Sequence, residues 1–337
     1  MDIVIKSFNR PYYLDRCIQS IYLNSQKRDF SIKILDDGTP QKYLDKLQEK
    51  FPEIQIYKSE WYEHKSSFCT VGKKPEIMTI PIDFWVNGTK SVSEYFLLLE
   101  DDIWINQKVD FEKMMEEAKS DNVSFLKLFW LGNPKLIQTK STTKKKEYTL
   151  YKPKLYTKYP LLFYIVFYKF DCFKIRKTLR SLKIHTDEKY LSYYSIYSVA
   201  GMIFKRDYFL SLWKNHKNTV DENLQLYNSL KHYFKNETVY AHSNSEIVTQ
   251  GILSAATNQF KNFEGINTDM FLFNKIVNEA WYNNEFDVMK NYPKDLDMDT
   301  IEAIIKKENN INLKANQWKE WVLHCKNQYR NFGCIVE

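Results

Sequence analysis

Glycine is nearly missing from this chain. Eight occur in 337 residues, at positions 38, 72, 88, 132, 201, 251, 265 and 333, and no two are spaced as G-x-G. A dinucleotide fingerprint and a Walker phosphate loop each need several glycines in one short turn, so both are excluded. A bound nucleotide would have to be held by a metal and side chains. Cysteine is sparse as well. Cys17, Cys69, Cys172, Cys325 and Cys334 are dispersed, odd in number and without a C-x-x-C pair. That is the pattern of reduced, buried thiols in a cytosolic protein. No apolar run approaches the ~20 residues of a membrane span. A strand that begins at Asp2 leaves no room for a signal peptide, so a cytoplasmic location is expected.

Aromatic residues, by contrast, are plentiful at 16%, with 24 Tyr and 22 Phe. A core is easily built from them. The formal charge of +7 arises from 49 Lys and Arg against 42 Asp and Glu. Such a mild excess permits an anionic partner without demanding one. The length suits one large domain or a domain with an appendage.

The sharpest local feature is Tyr95-Phe96-Leu97-Leu98-Leu99-Glu100-Asp101-Asp102. A continuous aliphatic strand is one buried on both faces, as in a parallel sheet covered by helices. Acids at its C-terminal end then sit at the sheet edge where open α/β folds bind ligands. Three adjacent carboxylates repel one another and lose solvation, and a cation offsets both costs. Mg²⁺ or Mn²⁺ prefer such oxygen ligands and usually bring a phosphate-bearing substrate.

Around this strand the sequence alternates. Residues 2–8 read as a strand, and Pro11 opens a helix carrying Leu14, Ile18, Ile21 and Tyr22 at helical spacing. Phe30 to Leu35 is a strand ending in the turn Asp36-Asp37-Gly38-Thr39-Pro40. Residues 41–51 are helical, Ile54 to Tyr57 is a strand, Pro75 opens the helix that leads to the acidic strand, and 124–130 is a further strand. Strand–helix alternation predicts a mostly parallel open sheet flanked by helices. Residues 139–150 read as a mobile polar loop. Residues 270–337 read as helical, with Trp281, Trp318 and Trp321 as packing anchors. The stretch 152–183 carries nine basic residues (Lys152, Lys154, Lys158, Lys169, Lys174, Arg176, Lys177, Arg180, Lys183) and one acid, Asp171, a net +8. Inside it lies the apolar run Leu161 to Tyr168, either a buried element of an acceptor wall or a surface that meets lipid. It lacks any recognised nucleic-acid motif.

Three elements in order, Ser7-Phe8-Asn9-Arg10-Pro11, Leu35-Asp36-Asp37-Gly38-Thr39 and Leu99-Glu100-Asp101-Asp102, resemble family-2 glycosyltransferases of the GT-A fold. They cover residues 1 to about 105. A looser match, Ala200 to Arg206 with Val220-Asp221-Glu222-Asn223, extends the resemblance to about 226. It implies a GT-A type sheet over residues 1–265, with a nucleotide-sugar half at 1–105 and an acceptor half at 106–265. Residues 266–337 would then be a helical appendage.

The resemblance also implies roles. Phe8 would lie against the nucleobase, with Lys6 and Arg10 nearby. Asp37 would read base and ribose, while Asp36 orders the turn. Asp101 would contact the ribose, and Asp102 would hold Mn²⁺ or Mg²⁺, with Glu100, in the position of the family's first aspartate, as a further candidate metal ligand. Either Asp221 or Glu222 would be the base of an inverting reaction. Lys73 and Lys74 could touch the diphosphate or form a solvated turn. His242 could be a late metal ligand or structural. The donor would be a nucleotide-diphospho-sugar, with UDP favoured by family habit. The acceptor would be a glycan or a lipid-linked glycan of cell-envelope polysaccharide synthesis, met at the inner face of the membrane. The competing readings are a sugar nucleotidyltransferase, which the glycine-free loop after strand one opposes, and a non-catalytic sugar-binding relative.

Overall fold

An aliphatic run without a polar break is stable only where both of its faces are covered. In the computed structural model Phe96 to Leu99 are at most 1% exposed, within β4 (Tyr95–Glu100) near the middle of a nine-stranded sheet. The structure describes residues 1–168, 181–183, 186–217, 221–236, 238–257, 266 and 268–336. Within the basic stretch, Lys169, Asp171, Lys174, Arg176, Lys177 and Arg180 lie outside the described residues, as do Cys172, Val220 and Gly265.

The other strands of this sheet are β1 (Asp2–Ser7), β2 (Ser31–Asp36), β3 (Gln55–Lys58), β6 (Val123–Lys127), β7 (Thr139–Lys144), β8 (Tyr148–Pro153), β9 (Met202–Lys205) and β10 (Val239–Ser243). They lie in the order β3-β2-β1-β4-β9-β6-β10-β8-β7. Pairing is parallel from β3 to β4 and between β6 and β10, and all strands but β8 and β9 run one way. A separate ribbon pairs β5 (Ile103–Ile105) with β11 (Val248–Gln250). The fold is therefore α/β, with a mostly parallel sheet flanked by helices.

In chain order the helices are α1 (Pro11–Asn24), α2 (Gln41–Lys50), α3 (Tyr62–Thr70), α4 (Ile82–Lys90), α5 (Phe111–Ser120), α6 (Pro160–Phe163), α7 (Asp187–Leu191), α8 (Arg206–Leu212), α9 (Glu222–Lys235), α10 (Met270–Tyr282), α11 (Met298–Glu308) and α12 (Ala315–Asn331). Pro11 occupies the first turn of α1, where its missing N–H costs nothing, and Leu14, Ile18 and Ile21 are fully buried. The last three helices are the expected C-terminal ones. Trp281 Nε1 donates to Asp15 at 2.9 Å and Trp318 Nε1 to the Leu253 carbonyl at 3.0 Å, tying them to the rest of the chain.

Two local expectations fail. The helix before β4 starts at Ile82, not at Pro75, because Pro81 would fall inside a helix begun at Pro75 and break its ladder. Residues 139–150 are mostly a hairpin, not a loop. Its outer strand β7 is the sheet edge, where exposed Thr and Lys side chains suffice and lysines discourage further pairing. The run Leu161 to Tyr168 divides between α6 and one wider helical turn. Phe163, Val166 and Phe167 point inward, and Leu161, Leu162 and Ile165 are exposed. No helix among the described residues is long and apolar enough to cross a membrane.

Candidate active site

The chain lays down β1, then β2 and β3 on one side of it, and returns to the other side with β4. That reversal opens a crevice at the carboxyl ends of β1 and β4, the place where open parallel sheets bind ligands. Asp36 ends β2 and is consumed by its own turn. It accepts from Gly38 N at 3.0 Å, Thr39 N at 2.7 Å and Thr39 Oγ1 at 2.6 Å. The turn leaves Asp37 at the crevice. Asp37 Oδ1 accepts from Ser59 Oγ at 2.6 Å, and Oδ2 pairs with Lys65 at 2.5 Å. Lys65, only 1% exposed, also donates to the Thr79 carbonyl at 2.6 Å. Burial pushes Asp37 up to about 6, and Lys65 only partly offsets it.

The three acids are each braced differently. Glu100 pairs with Lys6 at 2.7 Å, and the Lys6 ammonium sits 4.7 Å from the centre of the Trp85 ring. The cost of burying Glu100 is outweighed by Lys6, which holds its carboxyl below the usual range. Asp101 receives Arg10 on Oδ1 at 2.5 Å and the Phe8 N–H on Oδ2 at 3.2 Å. The second guanidinium nitrogen of Arg10 lies 3.0 Å from Asp102 Oδ2. Burial raises both aspartates, Asp101 to about 7, against the pull of Arg10. Asp102 Oδ1 is buried and has no hydrogen-bond partner.

Two cavities adjoin these acids. The smaller, about 150 Å³, is walled by Phe8, Trp85, Ile80 and Pro81, with Lys6, Asp37, Lys65 and Asp101 as its polar groups. The larger, about 450 Å³, is bounded by Asp102, Lys127, Tyr194, Glu222, Trp321 and Tyr329, among others. Arg10, Glu100, Ala256 and Thr257 border both. Lys127 ends β6 at the same sheet edge and donates to the carbonyls of Leu136 at 3.1 Å and Tyr194 at 2.8 Å. Burial lowers its ammonium to about 7.

Of the residues singled out in the sequence, Lys6, Phe8, Arg10, Asp37, Glu100 and Asp101 therefore meet at the smaller cavity. Asp102 and Glu222 border the larger. Tyr194 O–H donates to Glu222 Oε2 at 2.5 Å. Asp221 caps α9 instead, its Oδ1 accepting from Leu224 N at 3.0 Å. Lys73 and Lys74 are exposed on the turn after α3 and border neither cavity. His242 lies between the rings of Trp130 and Tyr151, with Nδ1 2.8 Å from the Ser243 carbonyl, and borders neither cavity. Sequence reasoning missed Lys65, Trp85, Lys127 and Tyr194. It also missed the α12 face of Trp321, Cys325 and Tyr329, although their spacing of four marks one side of a helix.

Among the described residues no group of three or more His, Cys, Asp or Glu could hold a metal ion by itself. Mg²⁺-like ions, however, are commonly bound by one or two carboxylates plus substrate phosphates. The orphaned Asp102 Oδ1 fits that mode, a single protein oxygen left for a cation that arrives with its substrate.

No family model matches the chain, and no curated protein matches it in sequence. Among solved structures, TarS of S. aureus is similar at 9% identity and a TM-score of 0.42, with 98% of this chain covering 53% of TarS. The chain thus spans about half the length of that protein. The mannosyltransferase PcManGT from Pyrobaculum calidifontis, solved with GDP-Man and Mn²⁺, is similar at 8% identity and a TM-score of 0.40, with coverage of 98% and 74%. The galactosyltransferase LgtC, solved with donor and acceptor sugar analogues, is similar at 10% identity and 0.34, with coverage of 98% and 100%. These are distant likenesses in chain path.

Proposed function

We propose that the chain is a glycosyltransferase of the GT-A kind, moving a sugar from a nucleotide-diphospho-sugar in the smaller cavity to an acceptor hydroxyl in the larger. One observation carries this reading: Asp101 and Asp102 stand between two cavities at the switch point of the sheet, braced by a single buried arginine. Transfer between two substrates uses two spaces that meet at the reacting bond, and these two share Arg10, Glu100, Ala256 and Thr257.

In this reading Phe8 and Trp85 offer apolar surface to a nucleobase, and Asp37 accepts hydrogen bonds from the base or ribose. Each carboxylate oxygen has a second lone pair, so Asp101 can accept a ribose hydroxyl while it keeps Arg10. Asp102 Oδ1 would hold Mn²⁺ or Mg²⁺, an ion that would neutralise charge developing on the departing diphosphate. Glu222 is the base of choice, since Asp221 is engaged as a helix cap. Tyr194 fixes one oxygen of Glu222. The carboxylate takes the acceptor proton, the acceptor oxygen bonds to the anomeric carbon, and the bond from that carbon to the diphosphate oxygen breaks, with inversion. General base catalysis of this type contributes about 10²–10⁴-fold. The acceptor class is a glycan or lipid-linked glycan, and UDP is the favoured nucleotide.

A thermal-shift comparison of UDP, GDP and dTDP, each with and without Mn²⁺, tests the donor site. A ligand that binds only the folded state must raise the melting temperature. At least one nucleotide is expected to do so, more with Mn²⁺ than without, and less in Asp37→Ala. Absence of any nucleotide shift, or an equal shift in Asp37→Ala, overturns the assignment.

A further inference from the structure

The run Leu161 to Tyr168 was singled out in the sequence, and the donor and base assignments leave it unused. Its inward side chains Phe163, Val166 and Phe167 are at most 5% exposed. Its outward ones are not: Leu161 is 70% exposed, Leu162 43% and Ile165 41%. Tyr159 joins them and touches Phe234 at the far end of α9, ring centres 5.8 Å apart, with Phe234 itself 51% exposed. α6 and the turn after it pack on α9, which sets the Tyr159–Phe234 contact at the start of α6, next to its exposed leucines. Single exposed leucines are ordinary, but a contiguous apolar patch with a charged rim marks a docking surface.

The rim is basic. Along the chain, Lys154 and Lys158 precede the run and Lys231 and Lys235 bracket Phe234, and no acid occurs between 153 and 168 or between 223 and 236. A second copy of the same face would set these ammonium groups against one another, which is costly. Apolar side chains ringed by lysines suit a bilayer interface with anionic headgroups. We propose that this face docks on an anionic membrane surface and presents the larger cavity to a lipid-borne acceptor. The acceptor part rests on the sugar-transfer reading; the docking part does not. The helix itself supplies the geometry. α9 runs from Glu222, on the wall of the larger cavity, to Phe234 in the patch, twelve residues and so about 18 Å.

Co-sedimentation of the full chain with vesicles tests the docking without any measure of transfer. Phosphatidylcholine vesicles with a quarter phosphatidylglycerol are compared with pure phosphatidylcholine, at low and high salt. The protein is expected to pellet with the anionic vesicles at low salt and to be released as salt screens the charges. Lys158→Gln and Lys235→Gln should each lower partitioning by roughly fivefold. Leu161→Ser with Phe234→Ser should abolish it while leaving the melting temperature within about 2 °C of wild type, since exposed positions contribute little to stability. Failure to pellet at low salt overturns the proposal, as does binding unchanged by the serine pair. So does a concentration-dependent dimer that the serine pair dissolves, which would make a second copy the occupant. Vesicle binding without any nucleotide response would leave docking standing and remove the sugar-transfer reading instead.

Discussion

Arg10 is only 5% exposed, and it can be so because its guanidinium pairs with two buried carboxyl groups at once. A buried charge is tolerated when it is paired and hydrogen-bonded, and the same pairing leaves one Asp102 oxygen for something else. Lys127 is the opposite case. Its ammonium is buried against two carbonyls, and no carboxylate among the described residues pairs with it within 4.0 Å. An unfolded lysine titrates near 10.4, whereas burial brings Lys127 to about 7. Between those values the unfolded chain binds more protons, so this group's contribution to stability rises with pH. Below pH 7 both states are protonated and the burial cost is present in full. Urea midpoints of wild type and Lys127→Met at pH 7 and pH 9.5 isolate the effect. Wild type should gain on the variant by on the order of a few kcal/mol as pH rises. No gain, or a loss, would mean that the amine stays charged in the fold.

At the scale of elements, the turn after β2 fixes the Asp37 side of the smaller cavity by close approach. Gly38 has φ near +140°, and a Cβ there would lie 2.6 Å from the Cβ of Lys65. Gly38→Ala should therefore move α3 and loosen the Lys65–Asp37 pair, at about 1–3 kcal/mol. The expected readouts are a lower urea midpoint and a smaller nucleotide-induced thermal shift. A nucleotide shift equal to wild type would detach this turn from the site. The turn itself was legible in the sequence because its acids are consecutive and end an apolar run. So were β1, α1, β2 and β4, whose periodicity and turn chemistry agree. The β7–β8 hairpin was not, because an edge strand needs no apolar face and its Thr and Lys residues read as loop. The helix start at Ile82 was present in the sequence as Pro81, but the earlier Pro75 carried the same signal. Lys65 and Lys127 were out of reach, since a lone lysine in a helix or strand pattern reads as solvated until tertiary contacts bury it.

At the scale of the whole molecule, the site draws on distant parts of the chain. Arg10, Glu100, Lys127, Glu222 and Tyr329 border one cavity although more than three hundred positions separate the first from the last. The strand-end acids could be placed by topology alone, because a parallel sheet has one edge for its carboxyl ends. The α12 wall could not, because nothing in a helix's own pattern says which surface its apolar face will cover. Sugar transfer across the acids that end β4 is tested most directly by release of nucleoside diphosphate from a panel of UDP-, GDP- and dTDP-sugars with Mn²⁺, water serving as the substitute acceptor for the sugar, for wild type and for Asp102→Asn. Wild type is expected to release nucleotide from at least one donor, and Asp102→Asn, folded by its melting curve, to lose at least ~10²-fold of that rate. Release by neither protein from any donor, or equal release by both, would contradict the account.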